Sequence, residues 1–261
     1  MATDPYAAPR SRVADVPTAA PGGNFIPEGQ TVGAGNGWQW IVDAWELFRR
    51  QPGMWIALVV VFLVIFFVVG MIPFLGSLAA ALLGPVFAGG IALGCQHLRD
   101  GGELEIGHLF AGFKTHTGKL VMIGVFNLVA WIVIAAIIMV FVGGSVFAVM
   151  MGGGSGAAGD IAAGMSVLLA MLIGLALGVP VYMAIWFAPA LVALNDFEPL
   201  QAVKTSFAAC LKNILPFLLY GVILFALAIV ASIPFLLGWL VLGPVLAASV
   251  YTAYRDIFYV G

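Results

Sequence analysis

Chemistry requires polar side chains that converge, and this chain of 261 residues offers few. Asn127 stands inside a long apolar run, where its amide suits either a hydrogen bond to a neighbouring helix or contact with a polar solute. It is the candidate polar contact within the spans. His97, His108 and His116 show neither an HExxH arrangement nor paired ligand spacing, and a metal site needs ligands that converge. They read as solvated or interfacial residues. The Gly33-Ala-Gly35-Asn-Gly37 spacing looks superficially like a dinucleotide fingerprint, but it follows no strand and fits a linker better. Cys95 lies in an apolar run and Cys210 in a connecting segment, so no disulfide framework is indicated. No Ser-His-Asp set or phosphate-binding loop emerges. No catalytic residue, cofactor or metal ligand is assigned, and an enzyme is not expected.

The elements around these residues explain their scarcity. Hydrophobic residues make up 63% of the chain and charged residues only 8%, with a mean hydropathy of +1.12. A soluble domain carries about 25% charged residues, so this composition defines a membrane protein. The net charge of −2 argues against nucleic-acid binding. Residues 1–37, rich in Pro and Gly, are expected to be a disordered tail without a signal-peptide h-region. Residues 38–261 then form the transmembrane domain. Its six apolar runs, 54–75, 78–98, 120–151, 161–194, 214–233 and 236–254, each suffice for the roughly 20 residues that a span needs. The middle pair exceeds that need, which points to tilt, kinks near Gly143-Gly144 and Pro180, or projection beyond the bilayer. Ionised groups at a span centre cost about 2.5–3.5 kcal/mol, and the six cores contain none.

The cations orient the chain. Arg10, Arg12, Arg49, Arg50, Arg99, Lys114, Lys119, Lys204, Lys212 and Arg255 all fall in the tail, the second and fourth connections or the C-terminal end. The positive-inside rule therefore places both termini in the cytoplasm.

The inner connections are themselves patterned. Trp38, Ile41, Trp45 and Phe48 recur at helical spacing, as do Ile106, Leu109, Phe110 and Phe113, and Leu200, Val203, Phe207 and Leu211. Three amphipathic helices follow, each with acids early and a base late, as the helix dipole favours. Trp38, Trp45, Phe48, Arg49, Phe113, Lys114, Phe207 and Lys212 are the expected inner-interface anchors. The spans repeat too. Ile72-Pro73-Phe74-Leu75 returns as Ile233-Pro234-Phe235-Leu236, and Gly84-Pro85-Val86 as Gly243-Pro244-Val245. The expected fold is an all-α polytopic membrane helix bundle. Six transmembrane helices and three cytoplasmic amphipathic helices make a threefold repeat, with the middle copy the loosest.

The runs Leu109-Phe110-Ala111-Gly112-Phe113, Trp186-Phe187-Ala188-Pro189-Ala190-Leu191-Val192 and Ala248-Ser249-Val250-Tyr251, with Tyr254-Arg255-Asp256-Ile257-Phe258, resemble an uncharacterised family of bacterial six-span inner-membrane proteins. The likeness runs from about Gly37 to the end and implies a bacterial inner membrane without an established activity. More distantly, Glu198-Pro199-Leu200-Gln201-Ala202-Val203-Lys204-Thr205-Ser206-Phe207 resembles a motif in membrane domains attached to some glycerophosphodiester phosphodiesterases. Their catalytic domain has no counterpart here. The expectation is a non-enzymatic membrane protein that organises lipids or protein partners at its cytoplasmic face. The alternative is a transporter or channel for an uncharged or amphipathic solute. The oligomeric state is left open.

Overall fold

A computed structural model describes residues 23–151, 157–233 and 235–260. Its elements are β1 (Asn24–Phe25), α1 (Asn36–Arg50), α2 (Pro52–Gly70), α3 (Leu75–Arg99), α4 (Ile106–Leu109), α5 (Gly112–Thr115) and α6 (Thr117–Met151). They continue with α7 (Ala157–Trp186), α8 (Ala188–Asn195), α9 (Pro199–Lys212), α10 (Ile214–Ser232), α11 (Trp239–Phe258) and β2 (Tyr259–Val260). Among the described residues, five helices are long and apolar enough to cross a membrane. The bundle is all-α, apart from the two short strands.

Local chemistry sets the breaks. Gln51 at φ −145° ends α1, and Pro52 starts α2, where a missing N–H costs nothing. Pro199 starts α9 in the same way. The run 161–194, expected as one span, remains one candidate span over Gly164–Asn195, with its helix broken at Phe187 between α7 and α8. Pro189 opens α8, and the freed Phe187 N–H donates to Ser206 Oγ at 2.9 Å. The hairpin tops carry residues in left-handed conformations: Phe74 at φ 60°, Phe235 at 49° and Leu236 at 67°. Pro234 and the 152–156 loop lie outside the described residues.

The last run departs from expectation. Its helix begins at Trp239, and by length and composition it is not among the five candidate spans. Its second half holds Tyr251, Thr252, Tyr254, Arg255 and Asp256, which dilute the apolar character. That half instead enters the core: Tyr254, Ile257 and Phe258 are fully buried.

The core sits where helix ends converge. Trp40, Trp55, Phe187, Tyr254 and Phe258 fill it from α1, α2, the α7–α8 break and α11. Only 11% of the α2 span window is buried, against 44% for α3, so α3 is central and α2 peripheral.

The tail expectation requires correction over residues 23–37. Phe25 and Asn24 pair antiparallel with Tyr259 and Val260. Ile26 N–H donates to Phe258 O, and Gln30 N–H to Ile257 O, both at 2.8 Å. Asn213, fully buried, accepts from Val32 N–H at 2.8 Å and donates to Gln30 O at 2.9 Å. The segment is a strap across the C-terminus: hydrogen bonds to distant partners order it where its own apolar area would not. Residues 1–22 lie outside the described region.

Candidate functional site

The inner-face helices are the first candidate site, and their expected anchors divide between the packed and the outward faces. In α1 the buried face is Gly37, Trp40, Ile41, Ala44, Leu47 and Phe48. Trp38 and Trp45 are 51% and 43% exposed, although Trp45 stacks on buried Phe48 at 5.3 Å. Arg49 is exposed. In α4 and α5, Leu109 is buried, whereas Phe113 is turned out and meets Phe87 edge-on at 5.2 Å, beside exposed Lys114. In α9, Ala202, Ser206, Ala209 and Cys210 face the bundle, Phe207 is half-buried, and Leu200 and Leu211 point outward.

In α9, small residues therefore pack inward while Leu200 and Leu211 turn out, whereas α1 packs both small and large side chains inward. Lipid is as apolar as leucine, so close backbone approach, and not burial of bulk, decides the packed face of a membrane helix. Lys212 was expected as an interface anchor. Its Nζ instead donates to Glu28 O at 3.0 Å and Gly29 O at 3.3 Å, clamping the strap. Asn213 was missed by sequence reasoning. Its only signal was a polar residue at the junction between an amphipathic helix and a span.

Asn127 is the second candidate. It lines a cavity of about 360 Å³ between α6 and α7, with Trp131, Tyr182, Ile185 and Trp186. Its amide makes no hydrogen bond among the described residues. The Trp186 indole N–H on the same wall is buried and lacks a partner. The histidines stay apart from it. His108 Nδ1 accepts from Glu105 N–H at 3.0 Å and caps α4, and its ring lies 5.1 Å from that of His97. His116 Nδ1 lies 3.4 Å from Asp196. No cluster of three metal-ligating side chains occurs among the described residues.

Two apolar grooves complete the surface. One, of about 550 Å³, runs between α10 and α11 and is closed by Trp38, Ile41 and Trp45 of α1. The other, of about 440 Å³, lies between α7 and α10 and is closed by Cys210 and Leu211 of α9.

Apolar spans, outward-facing aromatics and a core where the helix ends converge define an integral membrane helix bundle. A protein of Burkholderia thailandensis named "Probable inner membrane protein" is 31% identical over 225 residues, covering 84% of this chain and 82% of that relative. The chain belongs to the family of this bacterial inner-membrane protein. No family model matches it, and no solved structure matches it. The likeness to the phosphodiesterase membrane domains finds no support in these comparisons.

Proposed function

We propose that this is a non-enzymatic protein that organises inner-membrane lipids through its inner-face helices, with six spans in three units and both termini cytoplasmic. The observation that carries the reading is the pair of apolar grooves, each closed at one end by an amphipathic helix. Such grooves accept acyl chains in place of a partner helix. Support for three units comes from how they interlock. Helix α1 packs on α10 and α11, α4 and α5 pack on α3, and α9 packs on α7. Each amphipathic element thus sits on the hairpin of the preceding unit, and the first closes the ring on the last. Gly76 and Gly238, after the two repeated turns, each press against the carbonyl seven residues earlier, of Val69 and Ala231.

Val241→Trp would fill the α10–α11 groove from a partly exposed position. The variant, purified in mild detergent, should retain fewer lipids by native mass spectrometry at unchanged thermal stability. Unchanged lipid retention would sink the reading. The orientation is tested separately: a cysteine at position 155 should react with an impermeant thiol reagent added to spheroplasts, and one at 205 should not. The reverse pattern would overturn it.

The second reading, transport of an uncharged or amphipathic solute, is favoured by the unpartnered Trp186 indole beside Asn127. Uptake in proteoliposomes that Asn127→Leu abolishes would establish it.

A further inference from the structure

On the other side of α1 from Trp38 and Trp45, a cavity of about 410 Å³ opens towards the ends of α3 and α11. Arg50, Arg99 and Arg255 line it, and so do Asp43, Glu46 and Asp256. Like charges sit beside like. Arg50 Nη1 donates to Leu98 O at 2.9 Å, which holds it next to Arg99. Burial, and then the Arg99 charge, depress the Arg255 pKa, against the pull of Tyr251, Tyr259 and Tyr254; the Arg255 guanidinium stacks 3.6 Å from the Tyr259 ring. On the acidic side, burial and then the Glu46 and Asp256 charges raise the Asp43 pKa, opposed by the hydrogen bond from Gln39 and by Arg99. Asp256 is fixed in place, its Oδ2 accepting from Trp40 Nε1 at 2.7 Å and Asn36 Nδ2 at 2.8 Å. Among the described residues, no ion pair joins Arg50 or Arg99 to any of these carboxylates.

Arg50 and Arg99, facing carboxylates around one hollow without closing on them, present a field to a ligand. Crowding like charges costs energy on each side, and a molecule bearing both signs relieves both costs. A guanidinium offers five donors, whereas a carboxylate accepts at about four lone-pair sites. Three arginines exceed the needs of one carboxylate and suit the oxygens of a phosphate.

We propose that this cavity binds a phosphate-bearing amine of the phosphoethanolamine type, its phosphate on Arg50, Arg99 and Arg255 and its ammonium on Asp43 and Glu46. The same chemistry is carried by free phosphoethanolamine and by a phospholipid headgroup. The site is separate from the apolar grooves, so its occupancy does not depend on their taking acyl chains.

The test is calorimetric titration of the full chain, delipidated in detergent, with phosphoethanolamine and with dihexanoyl phosphatidylethanolamine. Inorganic phosphate, ethanolamine and dihexanoyl phosphatidylglycerol are the comparisons. At least one of the first two ligands should bind tenfold or more tightly than any comparison. Arg99→Gln should weaken that binding at least tenfold. Glu46→Gln should weaken it while leaving inorganic phosphate unchanged. Both side chains are exposed, so the substitutions spare the core. A matching thermal melt verifies this, and Arg99→Lys, which keeps the charge without the fork, should fall between native and Arg99→Gln. Val241→Trp should leave this binding intact, which separates failure here from failure of the lipid-groove reading. Binding of the lipid analogue that free phosphoethanolamine cannot displace identifies a headgroup, and full displacement identifies a soluble ligand. Absence of binding by both ligands, equal binding of inorganic phosphate, or indifference to Arg99→Gln and Glu46→Gln would overturn the proposal.

Discussion

Gly37 and Gly112 hold the inner-face helices close enough to pack. A Cβ at Gly37 would run into the Pro216 carbonyl and lie 2.9 Å from Tyr220 N, and one at Gly112 would run into the Val86 carbonyl. Backbone cannot yield as a side-chain tip can, so Gly37→Ala and Gly112→Ala should each cost about 1–3 kcal/mol, the usual range for overpacking. Gly35→Ala and Gly118→Ala, which meet open space, serve as the comparison. Melting temperatures in detergent that fail to separate the two pairs would refute these close approaches. A second residue-scale effect concerns pH. The hydrogen bond from Lys119, then its charge, hold the Asp196 carboxyl below the usual range, with His116 adding to the effect. A depressed carboxyl stabilises the fold above its unfolded pKa of about 3.9 and loses that contribution as pH falls through the folded value. Asp43, whose pKa is raised, acts in the opposite sense, because its ionised form is the disfavoured one. Thermal stability of the native chain should therefore fall more steeply than that of Asp196→Asn as the medium is acidified through the carboxylate range. Parallel curves would exclude the Lys119 clamp as a source of stability. Nothing in the spacing of Asp196 and Lys119 showed this pairing, since 77 residues separate them.

At the scale of elements, the helices were legible and their faces were not. The apolar stripe of α9, which by its pattern could lie on the membrane or pack beneath the bundle, includes outward-facing Leu200 and Leu211. The packed side is Ala202, Ser206, Ala209 and Cys210. Periodicity reports which residues avoid water, and in a membrane both lipid and core satisfy them. The strap was illegible for another reason. Its two-residue strand pairs with residues more than 230 positions away, and no local pattern announces such a pairing. Deleting residues 23–33 should lower stability by about 2–4 kcal/mol. Net hydrogen bonds contribute about 0.5–1.5 kcal/mol each, and several tie the strap to Asn213, Lys212 and the C-terminus. Asn213→Ala should reproduce part of the loss. A melt unchanged by the deletion would mean that the strap lies on the bundle without supporting it.

For the whole molecule, the question is what holds the inner-face helices to the bundle. Charge balance favours apolar attachment, because Arg49 and Arg50 are offset by Asp43 and Glu46, and Lys204 and Lys212 by Asp196 and Glu198. Electrostatic recruitment to lipid takes about four to eight basic residues in excess. Three ion pairs converge on His116 and Lys119 at the start of α6, and their acidic side chains are exposed. Exposed pairs contribute little and are screened by salt. Buried aromatics are a larger force. Trp40 is 1% exposed and packs against Phe217 at 5.1 Å and Tyr220 at 5.8 Å. Truncating such a residue costs about 3–5 kcal/mol. Trp40→Ala, and Ala209→Trp on the packed face of α9, should therefore increase cleavage of these helices by an added protease. Trp45→Ser and Phe207→Ser, at positions 43% exposed and half-buried respectively, should do so far less. Raising salt from low to molar concentration should leave the native pattern unchanged. Release by salt, or equal sensitivity at Trp40 and Trp45, would mean that charge or the outward stripe holds the helices in place.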